Sequence, residues 1–539
     1  MKKIKSFNLR SIVVLLLVYF YPALLTFIFP FILDRLHFET DIVENFIFAG
    51  LLLLIAIYYF NGKKKFILLS LFLLYFFALI ETTYLLIFRS YFTSSSIFIF
   101  FESNTSEIVS FSEQYSNFSF YFVALSLLIM YSLFAYLLIN RKIQFPINFG
   151  KPKKIFVTLI ITTGLLLLLL SPLRRSFFPM VVSNAIIDYN IEIQTYNAIK
   201  YKDKSDFFKD VEIKNDTVTE TYVIVIGEST SRKHMGLYGY YRQTTPLLQS
   251  VSDELFIYKD IITPNTHTLT SLEKVLTLGT TENIDLKYKG NFLQLFNQAG
   301  FSTYWLSNQK PTGIWDNFIT GISNSAQNKV FFNISDVKSP YDDVVLNSLD
   351  NIINDKKKKK LIVLHLMGSH MVYEDRYPTS FDKFKNKPKT IFQSEMAFET
   401  INSYDNAILY QDYIWSSVIN KLKDKSGKAA VLFISDHGDE VFDSIDFFGH
   451  TETKGTKTMY DIPFILWLSK KKKAEKNELV FDINRKYSTE NLIFTIADLA
   501  SLKFKNFEAS KSVLNKQFIQ KNRLIYDNKS YDTFFKEEQ

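Results

Sequence analysis

The sequence predicts two structural parts: an α-helical transmembrane domain of five helices, followed by an α/β domain with a mainly parallel central sheet covered by helices. Three observations predict this division. The chain has 539 residues, more than one ordinary domain contains. Its apolar excess, with 53 Phe and 47% hydrophobic residues overall, lies in the first third. In the remainder, short apolar runs alternate with longer helix-compatible segments.

Five predominantly apolar stretches in the first third each have roughly the ~20 residues that a helix needs to cross a bilayer. They are residues 11–33, 44–60, 66–88, 119–139 and 155–171. The first stretch is too long for a signal peptide and four more follow it, so we predict an uncleaved anchor. The aromatic, hydroxyl-rich segment 89–118 between the third and fourth stretches either covers the active site or is an ordinary exposed loop.

The positive charges predict the orientation of these helices, because Lys and Arg beside membrane spans stay on the cytoplasmic side. Basic residues precede the first stretch and separate the second from the third and the fourth from the fifth, whereas the other two loops are poor in them. With five crossings, the chain after about residue 172 lies on the outer side. We predict a transmembrane domain at 1–172, interfacial linker helices at 173–215 and an extracytoplasmic catalytic domain at 216–539.

The predicted α/β domain contains five short apolar runs with the length and composition of buried strands. They lie at 221–227, 302–306, 361–366, 430–435 and 463–468. Helix-compatible segments such as 344–355 and 405–422 separate them. Alternation of this kind favours parallel strands joined by crossover helices.

Composition excludes several classes of function. The chain has no Cys, which removes disulfides, thiolate catalysis and thiolate metal sites. The net charge of +8 comes partly from the lysines beside the apolar stretches, so it does not indicate a nucleic-acid partner. The lysine run at 356–360 either touches anionic lipid head groups or, as we favour, is a solvated loop before a strand.

Metal-binding side chains follow two of the apolar runs. Glu228 comes directly after 223–227, and the Asp436-His437 pair follows 431–435. In open α/β sheets, ligands bind at the carboxyl ends of the strands. Carboxylate oxygens together with an imidazole nitrogen suit zinc.

Histidines are concentrated in the same places. Five of the seven lie near the ends of predicted strands or in the loops beyond them: His267, His365, His370, His437 and His450. A lone histidine at a strand end is more often a hydrogen-bonded structural residue than a ligand. We expect His370 and His450 to line a pocket with His437, whereas the position of His365 inside a strand favours a structural role.

A cluster of hydroxyl groups supplies candidates for a nucleophile just before a helix-like stretch at 272–278. A hydroxyl at a helix start is close to backbone N–H groups that bind phosphate, and a zinc ion would lower its pKa. The alternative is that these residues only cap the helix or form turns. The residues alone leave four candidates open: Thr266, Thr268, Thr270 and Ser271.

Four ordered segments closely resemble the membrane phosphoethanolamine transferases of the alkaline phosphatase and sulfatase superfamily, including those that modify lipid A and the lipopolysaccharide core. "VIVIGEST" and "LYGYYRQTTP" are similar to the family's first metal-ligand segment, and "NTHTLTSLEKVL" is similar to its nucleophile segment. "HLMGSH…YP" and "SDHGDE…GH" are similar to its histidine segments. The resemblance spans nearly the whole chain and implies an alkaline-phosphatase/sulfatase-like fold for the second part.

The resemblance also implies a role for each site residue. Glu228, Thr268, Asp436 and His437 would bind one catalytic zinc, with Thr268 as the nucleophile. His370 and His450 would bind the substrate, through its phosphate or through a second zinc. The cysteines that stabilise the outer domains of relatives, including a pair that brackets the nucleophile, are missing here.

The implied activity is that of a zinc-dependent phosphoethanolamine transferase in the bacterial inner membrane, with its catalytic domain in the periplasm. Phosphatidylethanolamine would be the donor, and lipid A, a core sugar of lipopolysaccharide or a related glycan the acceptor. The alternatives are a lipoteichoic-acid-type glycerol phosphate transferase and a catalytically silent membrane sensor of the same fold. A sulfatase is disfavoured, because no Cys-x-Pro-x-Arg or Ser-x-Pro-x-Arg segment lies near Thr268.

Overall fold

The computed structural model divides into two compact units that meet in the sequence at residues 193 and 194. It describes residues 9–32, 40–60, 63–88, 118–140, 151–175, 177–200, 208, 210–211, 218–310, 318–334, 339–452, 455–475 and 479–536. Most of the 89–118 segment lies outside these residues. The predicted boundaries at 172 and 215 remain predictions, and one helix runs continuously past residue 193.

The first unit consists of long apolar helices. They are α1 (Leu9–Ile32), α2 (Thr40–Tyr58), α3 (Lys64–Phe88), α4 (Phe118–Ile139), α5 (Lys151–Leu170) and the first part of α6 (Phe178–Lys200). Within the described residues, Lys64–Ile87 of α3 and Phe120–Ile139 of α4 are long and apolar enough to cross a membrane. The apolar parts of α1, α2 and α5 are shorter, so the count of five spanning helices stays a prediction.

The second unit is built on a seven-stranded sheet of order β2-β10-β7-β1-β6-β4-β5. All neighbouring pairs are parallel except the two made by β10. The sheet strands are β1 (Glu220–Gly227), β2 (Leu255–Ile257), β4 (Ser302–Ser307), β5 (Asn328–Phe331), β6 (Lys359–His365), β7 (Lys428–Ser435) and β10 (Phe464–Leu468). The five predicted apolar runs coincide with β1, β4, β6, β7 and β10. A mainly parallel central sheet is therefore confirmed.

Six short strands form small two-stranded sheets outside the central one. They are β3 (Asp260–Ile262), β8 (Glu440–Val441), β9 (Phe448–Gly449), β11 (Lys486–Ser488), β12 (Leu524–Ile525) and β13 (Lys529–Ser530). The helices of this unit are α7 (Pro246–Ser250), α8 (Thr268–Val275), α9 (Phe292–Gln298), α10 (Phe318–Ser323), α11 (Val344–Ile353), α12 (Glu395–Lys423), α13 (Lys457–Tyr460), α14 (Lys470–Lys473), α15 (Leu492–Leu499) and α16 (Tyr531–Phe534). The predicted segments 344–355 and 405–422 lie on α11 and α12.

Helices cover both faces of the central sheet. Successive side chains of a strand point to opposite faces, so each central strand contributes to two cores. On β1, Ile224 and Ile226 belong to a core that includes residues of α8, α9 and α15. Val223 and Val225 belong to the opposite core, which includes residues of α11 and α12. Burial on both faces explains why β1 is a continuous apolar run without alternation. The sheet therefore presents its polar residues at the strand ends.

Candidate active site and metal centre

The central strands β1 and β7 bring the predicted metal ligands together. They are parallel neighbours, and Gly227 at the end of β1 pairs with Ser435 at the end of β7. Glu228 and Asp436 therefore leave the same edge of the sheet side by side. The backbone N–H of Asp436 donates to the Gly227 carbonyl at 3.2 Å. The N–H of Ser229, which has a positive φ of 57°, donates to Asp436 Oδ1 at 3.1 Å.

Glu228, Asp436 and His437 form a buried group whose ligand atoms all lie within 4.8 Å of one another. His437 Nε2 lies 3.3 Å from Glu228 Oε1 and 3.4 Å from Asp436 Oδ2. Asp436 Oδ2 is buried without a hydrogen-bond partner in the described part of the chain. A buried carboxylate oxygen without a hydrogen bond is costly unless a nearby cation, here His437 or a metal ion, compensates its charge. Two carboxylates and an imidazole converging in this way fit zinc.

The charges of this group influence each other strongly. Burial lowers the pKa of His437, but the charges of Asp436 and Glu228 outweigh it and raise that pKa to about 10. Burial raises the pKa of Glu228, but the hydrogen bond and charge of His437 hold it well below its usual range. Burial and the Glu228 charge together raise the pKa of Asp436 well above its usual value. Without a metal, the group therefore retains a proton that a cation would displace.

Thr268 is the first residue of α8, and its hydroxyl faces this group. Its Oγ1 donates to Glu228 Oε1 and Oε2, both at 3.2 Å, and lies 3.4 Å from His437 Nε2. The helix begins here because the His267 carbonyl accepts the first intrahelical bond, from the N–H of Ser271. The helix predicted at 272–278 is thus shifted: it starts at Thr268 and ends at Val275.

The other three candidate hydroxyls point elsewhere. Ser271 Oγ donates to the Asp436 carbonyl at 2.6 Å, which fixes the backbone of a metal-ligand residue and not the metal. Thr270 Oγ1 donates to Glu452 Oε1 at 2.6 Å. Thr266 Oγ1 is fully buried and has no hydrogen-bond partner among the described residues.

A second group of ligand atoms shares His437 with the first. It consists of His437, Asp439 and His450. His450 Nδ1 lies 2.8 Å from Asp439 Oδ1, and Tyr373 donates to Asp439 Oδ2 at 2.7 Å. The rings of His437 and His450 are 4.1 Å apart between centroids. Unlike Asp436, Asp439 already has a partner for each oxygen.

His370 follows a tight loop after β6. In that loop Gly368 has a φ of 53°, and a Cβ there would lie 2.6 Å from the backbone N and O of Glu228, so only glycine fits. Asp342 accepts from the N–H groups of Met367 and Gly368 at 2.8 and 2.9 Å. Burial lowers the pKa of His370, and the negative charge of Glu228 opposes that effect.

His365 and His267 have different surroundings. His365 lies in β6, buried against the Trp305 ring, with Nδ1 3.2 Å from Ser307 Oγ, and burial lowers its pKa to about 4. His267 precedes Thr268, and its ring is 4.8 Å from that of His450. In the described residues, neither belongs to a converging group of ligand atoms.

Sequence reasoning missed two residues that touch the site. Gln309 Nε2 donates to Glu228 Oε2 at 2.9 Å and to the Leu366 carbonyl at 3.0 Å. It follows β4 at the same sheet edge, so its position after an apolar run was an available signal. Asp439, two residues after His437, carried a similar signal in the segment "SDHGDE".

A cleft of about 750 Å³ elsewhere in the second unit does not contain the predicted site residues. Its lining includes Arg232, Lys457 and Asp461. These groups are already paired, because Arg232 and Lys457 contact Asp461 at 3.0 and 2.6 Å. The group around Asp436, which has an oxygen without a hydrogen bond in the part of the chain that the structure describes, is therefore the stronger candidate for chemistry.

Comparisons with known proteins identify the family. Residues 220–502 match the sulfatase family model. The chain is 30% identical over 472 residues to the phosphoethanolamine transferase EptC of Escherichia coli K12, covering 80% of this chain and 79% of that protein. The chain belongs to the phosphoethanolamine transferases of the sulfatase family.

Solved structures of this transferase family extend the comparison. The zinc complex of the C-terminal periplasmic domain of EptC from Escherichia coli has 33% identity and a TM-score of 0.58, covering 60% of this chain and 96% of that one. The integral membrane protein lipooligosaccharide phosphoethanolamine transferase A of Neisseria meningitidis has 19% identity and a TM-score of 0.64, covering 88% and 96%. The second similarity shows the fold alone.

Proposed function

We propose that this chain is a zinc-dependent transferase that moves phosphoethanolamine from phosphatidylethanolamine to a lipopolysaccharide acceptor, either lipid A or a core sugar, or to a related glycan. Thr268 is the nucleophile and carries a phosphoethanolamine ester between the two steps. The observation that carries this proposal is the contact of Thr268 Oγ1 with both Glu228 oxygens at 3.2 Å. Of the four candidate hydroxyls, it is the one that faces the converging ligand atoms.

The first step forms a bond from Thr268 Oγ1 to phosphorus and breaks the bond from phosphorus to the diacylglycerol oxygen. Glu228 orients the Thr268 hydroxyl by accepting its hydrogen bond, and the hydroxyl proton ends on the diacylglycerol oxygen. In the second step an acceptor oxygen attacks phosphorus, the Thr268 ester bond breaks and Thr268 regains a proton. The net reaction transfers phosphoethanolamine and releases diacylglycerol.

Three features would hold the phosphoryl group during both steps. The first backbone N–H groups of α8 lie beside Thr268 and favour an anion. His450, oriented by Asp439 at 2.8 Å, and His370 would bind phosphoryl oxygens. Zinc bound by Glu228, Asp436, His437 and Thr268 would lower the pKa of the hydroxyl and offset the phosphoryl charge. His437, Asp439 and His450 offer ligand atoms for a second ion.

We further propose that α1 to α5 all span the bacterial inner membrane and that the second unit faces the periplasm. Outward-facing apolar side chains support this arrangement. Leu128 on α4 and Leu170 on α5 are 61% and 74% exposed, values that water disfavours and lipid permits. A unit that spans the membrane is consistent with a donor that is itself a membrane lipid.

The test uses the full chain in vesicles that contain phosphatidylethanolamine, with intact mass as the measurement. Wild type and Thr268→Ser are expected to gain one phosphoethanolamine, and Thr268→Val, which keeps the shape without the hydroxyl, is expected to gain none. An adduct on Thr268→Val would refute Thr268 as the nucleophile.

Donor and acceptor are tested with the same preparation. A glycerol phosphate adduct from phosphatidylglycerol vesicles would indicate the lipoteichoic-acid-type alternative instead. If zinc-loaded wild type produces no diacylglycerol, the chain is instead a catalytically silent sensor. Release of the adduct on adding lipid A, but not on adding a phosphate-free glycan, would assign the acceptor.

A further inference from the structure

One buried carboxylate, Glu452, contacts the segment that carries the nucleophile on both sides of Thr268. Its Oε2 accepts from Asn265 Nδ2 at 3.0 Å, three residues before Thr268. Its Oε1 accepts from Thr270 Oγ1 at 2.6 Å, two residues after Thr268. Since the chain contains no cysteine, no disulfide can hold this segment.

Lys274 closes the network around these contacts. Its Nζ donates to Asn265 Oδ1 at 2.7 Å and to the Thr270 carbonyl at 2.9 Å. Asn265 is thereby held through both ends of its amide. Burial raises the pKa of Glu452, and hydrogen bonds from Thr270 and Asn265 and the charge of Lys274 oppose that effect. Each partner of the carboxylate thus belongs to the nucleophile segment or contacts it.

Glu452 also lies two residues after His450, so its backbone position is linked to that of the proposed phosphoryl-binding imidazole. The rings of His450 and His267 approach to 4.8 Å, which brings the two segments into contact at a second point. A shift of Glu452 would therefore change the distance between Thr268 and His450. The carboxylate itself is in neither group of converging ligand atoms.

We propose that Glu452 is a positioning residue that sets the geometry of Thr268 relative to the phosphoryl-binding histidine. This role rests on the proposed transfer reaction. A displacement of about 1 Å from a near-attack geometry costs up to about a hundredfold in rate. The expected defect is in kcat, because the hydrogen bonds of Glu452 go to Asn265 and Thr270 and not to the side chains that would bind zinc.

Glu452→Gln is the informative variant. Asn265 Nδ2 also donates to Glu452 Oε1, at 3.2 Å. A glutamine offers one acceptor oxygen, and its amide N–H₂ would face the Asn265 amide donor, so the shorter Asn265 bond is lost and the remaining contact is opposed by two facing donors. Glu490→Gln is the matched control: Glu490 is also buried and accepts from the N–H and the hydroxyl of Thr281, both at 2.8 Å, and these two hydrogen bonds involve neither residues 263–275 nor the two groups of ligand atoms.

The experiment measures kcat and KM for transfer by the full chain in phosphatidylethanolamine vesicles, together with zinc content, Tm and hydrogen exchange of residues 263–275. Glu452→Gln is expected to lower kcat by about 10- to 100-fold, with KM within about twofold and zinc unchanged. Hydrogen exchange at 263–275 is expected to rise. Glu490→Gln is expected to lower Tm comparably while kcat stays within about twofold of wild type.

The inference is overturned if Glu452→Gln matches Glu490→Gln in kcat, or if its zinc content falls in parallel with kcat, since the residue would then act through the metal. Absence of transfer by zinc-loaded wild type would instead contradict the proposed function. In that case hydrogen exchange decides: faster exchange at 263–275 in Glu452→Gln than in Glu490→Gln supports the positioning role, and equal exchange overturns it.

Discussion

Two buried histidines of the second unit share much of their surroundings. His437 lies between the carboxylates of Glu228 and Asp436, and His234 lies between those of Asp405 and Asp443. Burial lowers the pKa of each imidazole, but the neighbouring carboxylates outweigh it and raise both pKa values to about 10. A perturbed pKa therefore does not separate a catalytic histidine from a structural one here.

The positions of the imidazole nitrogens relative to the carboxylates distinguish the two histidines. A single nitrogen of His437, Nε2, faces both carboxylates, so three ligand atoms converge, and Asp436 Oδ2 has no hydrogen-bond partner in the described residues. His234 uses a different nitrogen for each carboxylate, Nδ1 for Asp405 at 2.7 Å and Nε2 for Asp443 at 3.2 Å. Asp405 also accepts from Tyr240 and Arg242, at 3.0 and 2.7 Å. Convergence on an acceptor that lacks a hydrogen bond supports the proposed metal site, whereas a completed hydrogen-bond network indicates a structural role.

The largest expected effect comes from replacing each histidine in turn. His437→Ala is expected to lose bound zinc and at least about a thousandfold in transfer rate, because it removes a metal ligand beside the nucleophile. His234→Asn is expected to keep zinc and to cost about 3–5 kcal/mol in the free energy of unfolding, because it breaks a buried ion pair. Metal analysis, transfer rates and thermal unfolding check both. If His234→Asn loses its zinc and His437→Ala does not, the two histidines have the opposite roles.

Asp439→Asn tests the second group of ligand atoms. The variant weakens the hold on His450 Nδ1 without touching Glu228 or Asp436, so we expect a loss of about 10- to 100-fold in activity with zinc retained. Tyr373→Phe, which removes only the hydrogen bond to Asp439 Oδ2, is the control with a smaller loss. Because Asp439 Oδ1 also lies 3.9 Å from His437 Nδ1, loss of zinc in Asp439→Asn would contradict this expectation and show that Asp439 supports metal binding, either directly or through His437.

Zinc binding is expected to strengthen with rising pH. The raised pKa of His437, about 10 without metal, means that a proton must leave when zinc binds at neutral pH. Between pH 5.5 and 7.5 we expect the Kd to fall at least about tenfold per pH unit, since Asp436, whose pKa is also raised, can release a second proton. Calorimetry in buffers of different ionisation enthalpy measures the proton released. The His234→Asn variant should show the same dependence, and a pH-independent Kd would contradict the proposed ligand.

The smallest effect concerns stability. His234 has a folded-state pKa of about 10, above the unfolded value of about 6.5. Its contribution is therefore fully present below about pH 6.5 and is lost as the pH rises through 10. The stability difference between wild type and His234→Asn should shrink by a few kcal/mol over that interval. Denaturant unfolding of the full chain at pH 6, 8 and 10 measures it, and a difference that grows with pH would contradict the assignment.

The sequence alone predicts the elements that local composition determines. The apolar runs give β1, β6 and β7 to within about two residues, and the polar residues that follow two of them include Glu228 and His437. His234 follows no strand, and its position gave no signal. The contacts of Glu452 and Asp342 depend on segments more than twenty residues away, and a single sequence carries no information about such pairing.

The choice among the four hydroxyls shows the same limit. Local spacing makes Thr266, Thr268, Thr270 and Ser271 equivalent, because all precede or open one helix. Only the first turn of α8, packed against the ends of β1 and β7, directs Thr268 Oγ1 towards Glu228. The resemblance to the family identifies Thr268 from the segment "NTHTLTSLEKVL", which is evidence independent of that geometry.

The pairing of β1 with β7 has a consequence for biogenesis. Ser229 and Asp436, joined by a hydrogen bond, are 207 residues apart in the chain. Contacts so distant in sequence form late, because loop-closure entropy opposes them until most of the chain has collapsed. A partly synthesised or partly translocated chain that ends before β7 therefore has no assembled zinc site. In the proposed enzyme, zinc would therefore bind only after β7 has joined the sheet, late in maturation.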